Sequence, residues 1–409
     1  MSINKSARPL DGLEKAFWLL DQHRPTHFVM AGDVRGKTTA DEWIEALDLT
    51  GRQLPQLARR IATVEGQPAF VPTDPHGIPV QVVDGEAGDW KAHAEAELSS
   101  RFDTENEPLV RARLLHGRHR SVLLLVFHHT IADGPSAVWL LRDILHRVAG
   151  KRVVASDEMR SLEQIVDDGG FEGLDIPDLF TDGTRAPPGF RSPAKDKASV
   201  SNAMLDDAST AVLRERARSE GTTVHGALAA AAMRALASLS GADGHPPRVF
   251  SPIDARRRVM DGAEHLAVHV NALTVRPDRV ADDFWDDARR FGGAVGRFNQ
   301  TEILATGIRA VREAVMPVSD PVEMAAGWAF VYGAEILLTN LGVVDMPRRY
   351  GELALDAVWG PMVSTGIEGE QTLSALGFDD RLHLVHTSFE PAFGFLDGVV
   401  RELQQATGE

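Results

Sequence analysis

Two adjacent histidines, His128 and His129, stand where an apolar run ends, and Asp133 follows within the same turn of chain. Imidazole ionises near neutral pH, so this grouping suits the removal and return of a proton. The run Val122 to Phe127 reads as a buried strand, and Ser136 to Val148 as a helix. Polar groups at the end of a buried strand are costly unless paired or used. Successive strand residues point to opposite faces, so one imidazole faces a cleft and the other faces the interior or holds the turn. Asp133 lies near a helix N-terminus, where a carboxylate is favoured, and is expected to stay ionised and organise the loop. Gly134 allows backbone that other residues resist, and Pro135 suits the first position of a helix. A bare His-His pair is more often structural than catalytic. A metal site is set aside because the two rings diverge and no further His, Asp or Glu cluster has ligand spacing.

The elements that must position these groups can be followed along the chain. Leu13, Phe17 and Leu20 recur at helical spacing, and a strand follows near Thr26 to Gly32. Thr39 to Leu49 reads as a helix, then Leu54 to Pro72 as two strands about a glycine turn. Ala92 to Ser99 is helical, and Pro108 to Leu115 alternates and is expected to pair with the histidine run across Gly117. Lys151 to Val200 is rich in Asp, Gly and Pro and reads as a linker with weak helices at best. Beyond it come helices at Asp207–Glu220 and from Thr222 or Thr223 onward, where His225 reads as a packing residue. Arg248 to Val259 is a strand breaking into a basic turn, and His265 to Val275 a strand with His269 and Asn271 on one face. A helix at Ala281–Phe298, strands within 335–388 and a last helix before Gln405 complete the pattern.

Composition bounds the function. The 409 residues suffice for two domains or one domain of two lobes, with 43% hydrophobic and 25% charged residues as in ordinary globular proteins. The absence of cysteine excludes disulfides, a thiolate nucleophile and cysteine-ligated metal centres. A net charge of -16 argues against nucleic acid as a partner and, more mildly, against anionic coenzyme A or carrier proteins unless a local basic patch offsets it. The N-terminal residues Met1 to Arg8 lack a signal-peptide core, and no apolar run reaches membrane-spanning length, so a cytoplasmic location is expected.

The string His128-His-x-x-x-Asp133-Gly134 at the end of an apolar strand resembles the signature of the superfamily of CoA-dependent acyltransferases and peptide-synthetase condensation domains. That resemblance implies an α/β (α+β) fold of two chloramphenicol-acetyltransferase-like lobes, each a mixed sheet with helices, and a tunnel between them. It divides the chain into an N-terminal lobe (1–150), a linker (151–200) and a C-terminal lobe (201–409). It makes His129 the general base that deprotonates an acceptor hydroxyl or amine as it attacks an acyl thioester, and makes His128, Asp133 and Gly134 structural. The distant arginine that partners the motif aspartate is carried to Arg256, first of three arginines, within one or two positions. Arg257 and Arg258 then read as a solvated turn or as phosphate contacts. Thr339-Asn340-Leu-Gly342 is similar to a strand on the tunnel floor, with Asn340 and Thr339 as substrate or oxyanion candidates. Asn340 could instead satisfy backbone at a strand end.

The Asp-Phe-Gly-Trp-Gly motif of the plant branch is absent, and Trp359-Gly-Pro is its nearest echo. The resemblance therefore runs to bacterial stand-alone members such as polyketide-associated acyltransferases of secondary metabolism. The implied reaction moves an acyl group from acyl-CoA or an acyl-carrier protein to a hydroxyl of a small-molecule, lipid or polyketide acceptor. The thioester is a co-substrate, with no other cofactor and no metal. The alternatives are a stand-alone enzyme forming amides from carrier-bound substrates and a non-catalytic recruitment module. Pro9 to Trp18 adds a wax-ester or diacylglycerol synthase as a further reading.

Overall fold

The computed structural model describes residues 7–84, 87–153, 160–171, 174, 186–192, 195, 197–240, 245–260 and 266–408. The leader reading at residues 1–6, the first residue of the strand expected from His265 and parts of the linker expected at 151–200 lie outside them. Two six-stranded sheets and one three-stranded sheet, with helices packed on them, make a mixed α/β structure of two lobes.

The first sheet is centred on the histidine strand, Arg120–Phe127, which lies between Phe28–Arg35 and Val110–His116. All three run antiparallel, with Phe127 opposite both Phe28 and Val110. Residues 121–127 are buried on both faces, which is why they form a continuous apolar run rather than an alternating one. The helix Gly134–Val148 covers one face, and Gly32 leaves the space that Leu141 fills. The opposite edge of this sheet comes from far along the chain. Leu353–Met362 pairs antiparallel with Phe28–Arg35, and Arg349–Tyr350 joins it. A division into 1–150 and 201–409 leaves out this crossing, which ties the C-terminal half of the chain into the N-terminal sheet.

The second sheet runs in the order Val270–Val275, Val249–Asp254, Ile336–Val343, Gln371–Phe378, Arg381–Ser388, Ser199–Leu205. Ile336–Val343 is parallel to both neighbours, and the other pairs are antiparallel. Helices Val224–Ser240, Phe284–Phe298 and Phe395–Thr407 bury one face of it with their alanines, leucines and phenylalanines. Gly226 permits the closest approach, since a Cβ there would stand 2.4 Å from the Ala288 carbonyl oxygen.

Most expected elements are present, among them the helix Ala40–Gln53 behind a Thr39/Glu42 capping box and the hairpin Arg59–Val64/Gln67–Pro72. Two helices, Thr301–Val315 and Pro321–Tyr332, fill an interval for which no element was expected, although Leu304, Ile308 and Val315 give the first a legible helical period. The second is apolar almost all round, so it carries no amphipathic period to read. The linker region also holds a capped helix, Leu162–Asp168, firmer than the weak helix expected there. Among the described residues no helix is long and apolar enough to cross a membrane.

Candidate active site

A cavity of about 580 Å³ lies between the two six-stranded sheets. His129, Asp133 and Gly134 enter it from the end of the histidine strand, and Thr339 and Asn340 from the second sheet. His128 and Arg256 do not line it.

The two histidines take opposite roles in packing. His129 lies flat against Phe17, with ring centroids 4.1 Å apart, and inclined to Phe28 at 4.9 Å. Its Nδ1 is buried against its own turn, which leaves Nε2 as the nitrogen open to the cavity. Burial pushes the imidazole down to about 4; the backbone of its turn and the Asp133 charge pull the other way without overcoming it. The ring is therefore neutral and unprotonated at physiological pH. His128 is fully enclosed instead. Its Nδ1 meets the Thr130 hydroxyl at 2.8 Å, and its Nε2 faces Asp21 Oδ2 at 3.6 Å.

Asp21 was not singled out from sequence, yet it organises this side of the strand. Its Oδ1 accepts from the Thr26 N–H at 2.8 Å and faces His27 Nδ1 at 3.5 Å. Burial opposes its charge, but His128 and His27 outweigh that and hold the carboxyl well below the usual range. The one local sign of it is its place in the helix Gly12–His23. Asp21 stands four residues after Phe17, on the apolar face that points at the site.

Asp133 caps the helix Gly134–Val148, with Oδ1 accepting from the Ser136 N–H at 3.1 Å. Both its oxygens are gripped by Arg256, Nη1 to Oδ2 at 2.7 Å and Nη2 to Oδ1 at 3.0 Å. The His269 N–H adds a third donor at 2.9 Å. Burial would raise this carboxyl, but Arg256 and the His269 N–H hold it below its ordinary value. Ser136 Oγ lies 2.8 Å from both Asp133 Oδ1 and the Ala267 carbonyl oxygen. The network thus joins the N-terminal lobe, through Asp133 and Ser136, to the C-terminal lobe, through Arg256, Ala267 and His269. Arg256 is the arginine of the three that is buried; Arg257 and Arg258 are exposed, and Arg257 reaches the cavity.

Gly134 serves by close approach rather than by unusual backbone: a Cβ there would stand 2.6 Å from Leu341 Cδ2, and its φ is not positive. Pro135 is the second residue of the helix. Asn340 Oδ1 accepts from the Gly342 N–H at 2.9 Å. That bond fixes the amide orientation, so Asn340 satisfies backbone and still presents its Nδ2 donors. Thr339 is buried in the strand, opposite Ser374.

The cavity walls were largely unread from sequence. Phe250, Trp328 and Tyr332 form an aromatic cluster, Trp328 to Tyr332 at 4.7 Å, that reaches Phe17 beside His129. His225, expected only to pack, lines the cavity with Nε2 at 3.1 Å from Ser251 Oγ, and burial pushes it down to about 4.

Comparison with known proteins bears on this geometry. Residues 74–153 match the family model described as Condensation domain, and residues 194–376 match Phthiocerol/phthiodiolone dimycocerosyl transferase C-terminus. Polyketide synthase associated protein 5 from Mycobacterium tuberculosis has a similar structure, with TM-score 0.70 and 17% identity over 100% of this chain and 99% of that one. The trichothecene 15-O-acetyltransferase from Fusarium sporotrichioides gives TM-score 0.71 and 14% identity over 98% and 95%. The first condensation domain of the CDA synthetase gives TM-score 0.71 and 16% identity over 100% and 97%. A plipastatin synthase polypeptide from Bacillus subtilis (strain 168) is 30% identical over 200 residues, 45% of this chain and only 8% of that protein's length.

Three outcomes follow from the geometry. Asp133→Ala leaves the buried Arg256 guanidinium with Asp254 as its remaining acid, so urea unfolding is expected to show a loss of about 3 kcal/mol, with part recovered in Asp133→Ala/Arg256→Met. A loss under about 1 kcal/mol would mean that the pair does not couple the lobes. Asp21→Asn weakens the contacts to His128 and His27 and is expected to cost about 1–3 kcal/mol in the same assay; an unchanged midpoint would remove Asp21 from the support of the strand. In a proton NMR titration the His129 resonance, identified by its loss in His129→Gln, should stay at its neutral position from pH 8 to 5 and move near pH 4. Because the folded value is depressed below 6.5, the unfolded chain binds the extra proton and this group removes stability as pH falls from 6.5 toward 4. Movement of the resonance near pH 6.5 would show a solvated ring.

Proposed function

We propose that this chain, whose sequence and fold match the CoA-dependent acyltransferase and condensation superfamily, moves an acyl group from a thioester to a hydroxyl acceptor. The observation that carries this reading is His129, an unprotonated imidazole with one free nitrogen on a cavity large enough for two substrates.

The acceptor O–H gives its proton to His129 Nε2 while its oxygen attacks the thioester carbonyl carbon. The carbonyl electrons move to oxygen; the Asn340 amide and the N–H of Gly134, two residues of the cavity wall, are the donors we assign to it. The intermediate collapses, the C–S bond breaks, and the imidazolium returns the proton to the leaving thiolate. No acyl-enzyme is needed. The sequence has no cysteine, and no serine stands in a recognisable nucleophile elbow. His128, Asp133 and Arg256 act by holding the strand end and the helix start.

A hydroxyl acceptor is favoured by the aromatic wall of Phe250, Trp328 and Tyr332, which suits an apolar alcohol, and by a structural relative named as an O-acetyltransferase. The donor is acyl-CoA or an acyl-carrier protein. Amide formation from carrier-bound substrates is a second reading, favoured by the likeness to condensation domains and to plipastatin synthase.

The test is thiol release from a panel of acyl-CoAs of different chain length with pooled alcohols and amines, repeated with carrier-bound thioesters. Acceptor-dependent release is expected with alcohols. His129→Ala is expected to lower turnover by about two to four orders of magnitude while the protein remains folded. Near-normal turnover in that variant would end the assignment of His129, and release with amines alone would establish the second reading. No release with any thioester from folded protein would leave a recruitment module.

A further inference from the structure

A second recess, of about 400 Å³, opens at the other end of the helix Gly134–Val148. Arg142 and His146 reach it from the last turns of that helix, and Lys151 and Arg152 from just beyond. Asp345 comes from the segment after strand Ile336–Val343. This segment runs alongside the helix, since Leu341 fills the space before Gly134 and Gly351 approaches Ala149. Arg142 and His146 stand eight and twelve residues beyond Gly134, or about 12 and 18 Å along the helix. The recess is therefore separate from the His129 cavity, with which it shares no lining residue.

Its chemistry departs from that of the whole molecule. The chain carries a net charge of -16, yet here Arg142, Lys151 and Arg152 outnumber Asp143 and Asp345. Beneath them Tyr350 is fully buried, and its hydroxyl has no hydrogen-bond partner among the described residues. Its ring meets His146 edge-on at 4.8 Å, and His146 Nδ1 is buried without such a partner as well. Tyr350 itself does not line the recess; it packs behind His146.

We propose that this recess binds a phosphate monoester carried on a polyhydroxylated group, of about the size of a mononucleotide. Arg142, Lys151 and Arg152 take the phosphate oxygens, with His146 on the wall beside them. Asp143 and Asp345 accept from ribose hydroxyls. A volume of about 400 Å³ accommodates such a ligand. The same chemistry is offered by a free nucleotide and by the nucleotide end of coenzyme A. Binding in this recess does not depend on acyl transfer.

The probe is adenosine 3′,5′-bisphosphate, titrated calorimetrically into the full chain. Saturable binding is expected, weakened at least about tenfold in Lys151→Glu/Arg152→Glu, whose two positions are exposed. His146→Gln, in the wall of the recess, should weaken binding several-fold. His129→Ala should bind as wild type does, which separates this recess from the catalytic cavity. Matching affinity for adenosine 5′-monophosphate would identify a free nucleotide, and selective binding of the bisphosphate and coenzyme A would identify the coenzyme. No binding of any probe, affinity unchanged by the charge reversal, or inorganic phosphate binding as tightly as the nucleotides would overturn the proposal.

Discussion

The pair between Asp133 and Arg256 is the constraint on which the site depends. Its two members come from different lobes, 123 residues apart, and both are buried. Each takes several bonds at once: Asp133 from Arg256, Ser136 and His269, and Arg256 to Asp133, Asp254, Ser136 and Ala267. An apolar pair of similar volume would stabilise the fold as well or better, because two charges lose their hydration here. What the pair supplies is geometry. A two-point contact fixes the first turn of the helix Gly134–Val148, and with it the turn that carries His129, against the second sheet.

Given that frame, one bond of backbone decides the properties of two histidines. His128 turns to the side where Asp21 and Thr130 wait, and it has a carboxylate and a hydroxyl to engage. His129 turns to the side of Phe17 and Phe28, which offer surface and no charge. The same side chain is therefore an anchored member of a polar network at one position and a desolvated base at the next. Asp133, though close to His129, is bound on both oxygens by Arg256, so its attraction for a proton on that ring is largely offset.

Much of this was legible in the sequence, for definable reasons. The continuous run at Val122–Phe127 announces a strand buried on both faces, and the change to Gly134-Pro135 announces the helix. Arg256 is a different case. Nothing in local periodicity links it to Asp133, and the pairing was reached through a family resemblance. Asp21 was missed because a single acid on an apolar helix face has no local meaning until His27 and His128 are brought to it. The crossing of Leu353–Met362 into the first sheet was hidden because a buried strand pattern does not say which sheet it joins. The helix Pro321–Tyr332 was hidden because one face meets the cavity while apolar residues also occupy the outer face, which erases the period.

The depressed basicity of His129 has a consequence for how charge is handled in the proposed reaction. A ring that protonates only near pH 4 is a weak base toward an alcohol, and a lone imidazolium in this cavity is unfavourable. The reaction does not produce a lone imidazolium. Proton transfer and attack occur together, so the positive ring forms as negative charge forms on the thioester oxygen beside it. Opposite charges close together in a low-dielectric space attract strongly, and the aromatic walls that oppose the imidazolium alone favour the pair. The same low basicity makes the imidazolium a ready acid toward the departing thiolate. The aromatic packing of Phe17 and Phe28 therefore acts in one direction in the resting site, where it keeps His129 unprotonated, and in the other at the transition state of the proposed reaction, where it strengthens the charge pair.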